Sequence, residues 1–499
     1  MGKFYITTPI FYVNGDPHLG TAYAAITADA FARWHRYRGD EVRYVTGTDE
    51  HGLKIEQTAE AHGVTPQEWV DGTSAHFEGA WRELDISFDD FVRTTQPRHI
   101  ETVQHFLSVI HDRGYIYLGS YQGLYCVGCE AYYTEEELEE GLCPVHHSPV
   151  IEMEEENYFF ALSRFTDQLI ELYEEAPEKI FPESRRNEVL SFLRGGLKDI
   201  SITRTSLKWG VEVPWDPNHV FYVWFDALIN YLTAIGYDHD KDWKSWWENS
   251  YHLLGKDILR FHAVWWPAMC LAAGFEPPHQ FLVSGWMLVG GEKMAKSAGN
   301  QIDPLSVARE LGRDPLRYYL LRANAFGPDG DVSLEALQAL YRSDLANDLG
   351  NLVSRVAAVI TTKAEGKAPP VPKDPPTVLD FHERVTRAVG AWDSFHPQEA
   401  LETTMELVRA TNVLLETVEP WRKPSGDPES LMALGSAIEV IRVVATLMAP
   451  VMPDTCREIG RRIGRLDSAL EWSADTGGQG ISRHEPLFPR DRKVAKEER

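Results

Sequence analysis

The chain has 499 residues, with 75 acidic against 49 basic side chains and a formal net charge of −26. A chain this long exceeds one core, so two to four domains are expected; its 43% hydrophobic and 25% charged residues are those of an ordinary globular protein. The acidity speaks against general polyanion binding, which local positive charge drives, so any nucleic-acid role must come from a defined patch.

No stretch reads as a membrane span, because the most apolar C-terminal segment, around 440–452, is interrupted by Arg442 and Pro450. With no charged-then-apolar leader, the expected location is cytoplasmic. The five cysteines, an odd number, argue against a disulfide framework; three lie close together, which suggests a metal.

Residues 3–8 read as a strand and 21–38 as a helix, with Tyr23, Ile26, Ala30 and Trp34 at helical spacing and Gly39 as its stop. Between them, Asp16-Pro17-His18-Leu19-Gly20 leads into the helix start, where unpaired N–H groups and the helix dipole favour anions. Gly20 admits a ligand close to the backbone, and the His18 imidazole can donate to phosphate oxygens as charge shifts. A second strand, 42–46, runs into Gly47-Thr48-Asp49-Glu50-His51-Gly52. Ligands of open α/β sheets collect beyond the carboxyl ends of strands, where both motifs fall.

A Cys- and Glu-rich stretch near 115–215 interrupts the pattern. In it, Cys126-Val127-Gly128-Cys129 and Cys143-Pro144-Val145-His146 are separated by thirteen residues. Two such knuckles can fold around one tetrahedral Zn(2+), and soft thiolates favour zinc or iron over hard cations. Four filled positions would make the site structural, with His146 as fourth ligand and His147 as the alternative. Cys270 and Cys456 sit in apolar helical patterns and read as core thiols.

Strands are next expected at 220–225, 251–254 and 280–284. Trp286-Met287-Leu288-Val289 then passes through Gly290-Gly291 into Glu292-Lys293-Met294-Ala295-Lys296-Ser297, a loop with two cations three apart. Phosphoryl-group displacement is catalysed mostly by positioning and charge neutralisation, which suits Lys293 and Lys296 to a leaving pyrophosphate.

From Leu334 onward the pattern is nearly all helical, broken by the proline-rich stretch 369–376. In the helix near 343–360, Leu345, Leu349, Leu352, Val356 and Val359 recur on one face, and Asn347, Asn351 and Arg355 on the other. Asn amides can pair with base edges and an Arg guanidinium can stack on splayed bases, with Pro420-Trp421 as an aromatic platform. The expected fold is α/β: a Rossmann-like parallel sheet split by a zinc-bearing insertion, then an α-helical bundle. The expected segments are 1–114 and 216–300 for the two halves of the sheet domain, 115–215 for the insertion, 301–335 for a linker and 336–499 for the bundle.

The pair His18-Leu19-Gly20 and Lys293-Met294-Ala295-Lys296-Ser297 resembles the two signature motifs of the class I aminoacyl-tRNA synthetases. Thr7-Thr8-Pro9-Ile10-Phe11-Tyr12-Val13-Asn14-Gly15, the 47–52 motif, Tyr222-Val223-Trp224-Phe225-Asp226-Ala227 and Gly255-Lys256-Asp257-Ile258 narrow the resemblance to methionyl-tRNA synthetase, over essentially the whole chain. It departs twice: Thr21 stands where the second histidine of the first motif is usual, and Ala295 replaces the middle serine of the second.

The resemblance implies a methionine–tRNA ligase acting on L-methionine, ATP with Mg(2+), and initiator and elongator tRNA(Met). It implies catalysis by His18, Lys293 and Lys296, with Gly20, Thr21 and Ser297 also at ATP. It implies a methionine pocket of Ile10, Tyr12, Asp49, Trp224, Ala227, Leu228, Tyr231, Ile258 and His262, with Asp49 on the substrate ammonium. Asn351, Arg355 and Trp421 match anticodon-reading positions, and Asn347 and Pro420 extend that set. No further dimer-forming domain follows residue 499, so a monomer is expected. The competing readings are another class I synthetase (cysteinyl, whose zinc would touch substrate), a small-molecule nucleotidyltransferase, and a non-catalytic tRNA scaffold.

Overall fold

The computed structural model describes residues 2–127, 131–133, 138–139, 141–145, 147–294, 300–465 and 469–492. They divide into two compact units, Met1–Pro17 with Asp40–Ser284 and His18–Gly39 with Gly285–Arg499.

The first unit is built on a parallel sheet whose central strands bury consecutive residues, 4–7 and 281–284 among them, as a sheet covered on both faces does. Lys3–Thr7 lies between Glu41–Asp49 on one side and Ser250–Gly255 on the other, and Gln280–Ser284 and Ile180–Phe181 extend the second side. Phe11–Tyr12 and Asp90–Arg93 also pair with Glu41–Asp49. Strand order therefore reverses at Lys3–Thr7, the kind of switch point beside which such sheets bind ligands. At Gly47 a Cβ would stand 1.9 Å from the Val92 carbonyl oxygen, so only glycine fits this strand approach.

Two differences from expectation appear here. Ile180–Phe181, placed by sequence inside the 115–215 insertion, is an edge strand of the parallel sheet. The insertion's own structure is a separate antiparallel sheet, with Ile116–Cys126 at its centre against Ala131–Tyr133 and Ile151–Phe160. Residues 220–225, expected as one strand, split: Asp216–Phe221 is antiparallel strand and Val223–Ala227 is helix. The aromatic and β-branched run favours a strand locally, but fully buried Asp226 finds its hydrogen-bond partners only on a helical turn.

The second unit holds the helix Leu19–Arg38, which Gly39 ends in the left-handed conformation, φ 88°. Its Asp29 is fully buried and meets the equally buried Arg317 at 2.6 Å. Arg317 also donates to the carbonyls of Val451 and Pro450, so the buried pair is supported by further hydrogen bonds. The bundle comprises Gly350–Lys363, Phe381–Asp393, Pro397–Val418, Pro428–Met448 and Pro453–Ile463. Pro428–Met448 is, against expectation, long and apolar enough to cross a membrane, yet 89% of its apolar window is buried inside the protein. Its buried Glu439 is paired with Arg442 at 2.6 Å and with Arg465 at 2.9 Å, which marks a core helix of the bundle.

Candidate active site

Asp49 closes the strand Glu41–Asp49 and is in register with Tyr12. The Tyr12 hydroxyl donates to the His51 carbonyl at 3.2 Å. Ile10 lies in the loop just before Tyr12, half-buried. Tyr231 and Asp49 are electrostatic neighbours: burial pushes the Tyr231 phenol well above its ordinary value, and the Asp49 charge adds to that.

Around Tyr231 stand the other walls. Ala227, Leu228 and Tyr231 follow one another along a helical stretch and are buried. Tyr231 stacks on His252, centroids 4.1 Å apart, and its hydroxyl lies 2.8 Å from His262 Nε2. Trp224 meets the His262 ring edge-on, 86° between planes, and lies flat on Phe261 at 3.9 Å. Ile258 supplies the carbonyl that His262 Nδ1 bonds at 3.0 Å. Burial holds the His262 pKa down to about 4, against the opposing Ile258 bond, so the ring is neutral at physiological pH. Aromatic edges, aliphatic walls and a neutral imidazole suit a thioether side chain, and the half-buried Asp49 carboxylate beside them suits an ammonium.

A cluster that sequence reasoning left without a role lies in the same unit. Asp226 is fully buried, with His51 Nδ1 at 2.5 Å and His99 Nε2 at 2.7 Å. Burial alone would raise its pKa, but the two histidines overcome that and hold it at about 2. His99 is fixed in turn by Thr233 at 2.9 Å. The signal was available: His51 and Asp226 both fall in quoted motifs, and a carboxylate inside an apolar aromatic run demands a buried partner.

In the second unit, His18 caps the helix Leu19–Arg38. Its Nδ1 accepts from the Gly20 N–H at 3.1 Å, and Thr21 Oγ1 accepts from the His18 N–H at 3.0 Å. Burial and the Lys293 charge lower the His18 pKa. Lys293 sits on a two-stranded hairpin, Met287–Val289 with Glu292–Lys293, and its Nζ lies 4.3 Å from the centre of the Trp286 ring. The two expected phosphate-side groups, His18 and Lys293, are thus within electrostatic reach of each other. Lys296 and Ser297 lie outside the described residues.

Cys126 and Cys143 are both fully buried. Ser148 joins them: its hydroxyl lies 3.8 Å from Cys126 Sγ, and its carbonyl accepts the Cys143 N–H at 3.0 Å. The Val145 N–H donates to Cys143 Sγ at 3.4 Å. Cys129 and His146 lie outside the described residues, while the exposed His147 ring points toward Glu139, 4.0 Å away. Cys270 and Cys456 are buried, and burial pushes both thiols well up, as core thiols require.

In the bundle unit, the five expected apolar residues from Leu345 to Val359 are buried, Asn347 is exposed, and Asn351 and Arg355 are half-buried. The Arg355 guanidinium lies 5.4 Å from the Trp421 ring centre and 3.4 Å from Glu416. Pro420 is buried, which leaves Trp421 as the member of that pair with ring surface to offer.

A parallel sheet with a polar cluster at its switch point, and a helix-capping histidine facing a hairpin lysine, are the parts of a class I tRNA synthetase. The family model described as tRNA synthetases class I (M) matches residues 4–151 and 146–357. A methionine–tRNA ligase of Streptomyces coelicolor is 43% identical, over 98% of this chain and 96% of the relative. One of Thermotoga maritima is also 43% identical, over 97% and 80%. The Mycobacterium tuberculosis methionyl-tRNA synthetase solved with methionyl-adenylate superposes with a TM-score of 0.94 at 38% identity, over 98% of this chain and 100% of that one. The chain belongs to the methionyl-tRNA synthetase family.

Proposed function

We infer that this chain activates L-methionine with ATP and transfers the methionyl group to the 3′ end of tRNA(Met), in the cytoplasm. In the first step a methionine carboxylate oxygen bonds the α-phosphorus of ATP, the bond to the β-phosphate breaks, and pyrophosphate leaves. In the second, a terminal ribose hydroxyl attacks the activated carbonyl and AMP leaves, its phosphate taking the proton.

The observation that carries the amino-acid side is the Tyr231–His262 pair with Asp49 beside it. A neutral, doubly bonded imidazole among rings offers a thioether no charge, while Asp49 holds the ammonium. Ile10, Tyr12, Trp224, Ala227, Leu228 and Ile258 complete this subsite. On the phosphate side His18 and Lys293, with Lys296, meet the charge that develops on the departing pyrophosphate; Gly20, Thr21 and Ser297 belong to the same subsite. Mg(2+) accompanies the triphosphate and screens it.

The buried thiols Cys126 and Cys143, linked through Ser148 and with an amide N–H on sulfur, fit a structural Zn(2+). Cys129 and His146 would complete its four ligands. Asn347, Asn351, Arg355 and Trp421 form the anticodon surface, for initiator and elongator tRNA alike. Methionine-dependent exchange of radiolabelled pyrophosphate into ATP tests the activation step. Exchange with methionine and charging of tRNA(Met) are expected, and exchange driven by another amino acid would overturn the reading.

A further inference from the structure

The first signature motif reads His18-Leu19-Gly20-Thr21, with a hydroxyl where a second imidazole would be usual. In the structure that hydroxyl makes two bonds within the turn. It accepts the His18 N–H at 3.0 Å and donates to the His18 carbonyl at 2.7 Å. His18 itself has extended backbone, φ −122° and ψ 173°, so its side chain folds back over the helix start. There its Nδ1 meets the Gly20 N–H at 3.1 Å. The fit is close: a Cβ on Gly20 would lie 3.1 Å from both Cε1 and Nδ1 of the ring.

An amide N–H can only donate, so Nδ1 presents its lone pair and the neutral ring carries its proton on Nε2. We propose that Thr21 is a positioning residue that clamps the His18 backbone so that its ring is held as the Nε2–H tautomer, with that N–H as the donor toward the triphosphate. This rests on the functional reading above and deepens it. The turn makes the ring's proton placement a property of the fold, established before ATP arrives. The charged group the ring faces in its unit, among the described residues, is Lys293; burial and that cation both disfavour the imidazolium. A Thr21 hydroxyl committed to both ends of the His18 backbone supports the reaction through His18.

Nitrogen-15 NMR of histidine-labelled protein, with His18 assigned by His18→Gln, reads the tautomer directly and needs no catalysis. The expected signature is protonated Nε2 and unprotonated Nδ1; a predominantly Nδ1–H ring would overturn the proposal. Thr21→Val should lower kcat for methionine-dependent pyrophosphate exchange about tenfold, with KM for ATP and methionine changed by less than about twofold. Losing the Gly20 bond also removes a contact that favours the neutral ring, so the acid limb of kcat should move to higher pH. Thr21→Ser, which keeps the hydroxyl, should restore most of kcat. Loss appearing in KM for ATP with the acid limb unmoved would make Thr21 a direct ligand contact and overturn the positioning role. If Thr21→Val does not fold, Thr21→Ala and the wild-type tautomer decide. Absence of exchange in the wild type would sink the functional reading and leave the tautomer result standing.

Discussion

The Tyr231 hydroxyl donates to His262 Nε2 at 2.8 Å, while the other ring nitrogen of His262 faces the Ile258 carbonyl at 3.0 Å. A carbonyl can only accept, so Nδ1 carries the proton and Nε2 is left to receive from the phenol. Both ring nitrogens are used, and protonation would set a second N–H against the Tyr231 hydroxyl.

This arrangement predicts a pH dependence of stability. The His262 pKa lies at about 4 in the folded protein, below its ordinary 6.5, because burial disfavours the charged ring. Between those values the unfolded chain binds a proton that the folded one does not, so this contribution is present above 6.5 and is lost as pH falls toward 4. Urea unfolding at about pH 8 and about pH 5 should show His262→Gln losing less stability on acidification than the wild type, by about 2 kcal/mol. Equal acid sensitivity in the two proteins would refute it.

Asp226 makes a second prediction. Its carboxylate is held between His51 and His99 with no solvent access, one oxygen to each ring; an amide keeps a single oxygen, so one ring is left facing an NH2 donor and both lose the charge. Asp226→Asn should cost about 3 kcal/mol in denaturant unfolding, the range for breaking one side of a buried ionic cluster. A loss below about 1 kcal/mol would mean that the rings repartner without it.

How much of this was legible in the sequence varies by physical cause. The strand 280–284 and the helix ending at Gly39 were read correctly because period, cap and turn residues agree locally. The helix Val223–Ala227 was missed because its reason is tertiary: Asp226 must reach His51 and His99, which lie far away in the chain. Strand Ile180–Phe181 was missed because two residues carry no periodicity, and only pairing with Phe281 and Leu282 defines them. Among the candidate site residues, Asp49 was legible from its place at the carboxyl end of a strand, whereas His262 was assigned by the family resemblance. Trp224 and Tyr231 took their meaning from the family resemblance, since rings of that kind also fill cores.

Lys293 should act on charge at the triphosphate and leave methionine binding alone. Its ammonium lies over the Trp286 ring, a contact that holds the side chain beside the hairpin. Lys293→Ala should reduce kcat for pyrophosphate exchange about 100-fold, the order seen when a group stabilising transition-state charge is removed, with KM for methionine nearly constant. A large rise in that KM would count against the assignment.

Cys126→Ser tests the proposed metal site. A thiol that is fully buried and tied through Ser148 to the second knuckle should leave a three-ligand, weaker site when lost. The purified wild type should contain about one zinc per chain by elemental analysis, and the variant markedly less, with a lower thermal midpoint. A wild type free of zinc that keeps the same midpoint in a chelator would remove the metal from the description.

Trp421 stacks under the Arg355 guanidinium on a bundle surface that also presents Asn347 and Asn351. An aromatic ring with a cation over one face is a ready platform for an unstacked base, and one such contact is worth about 1–3 kcal/mol. Trp421→Ala should therefore lower kcat/KM for tRNA(Met) about tenfold or more. Methionine-dependent pyrophosphate exchange, which involves no tRNA, should be unchanged. The paired measurement separates recognition from folding: if exchange falls together with aminoacylation, Trp421 serves the bundle core, and the proposed anticodon role of this residue is overturned.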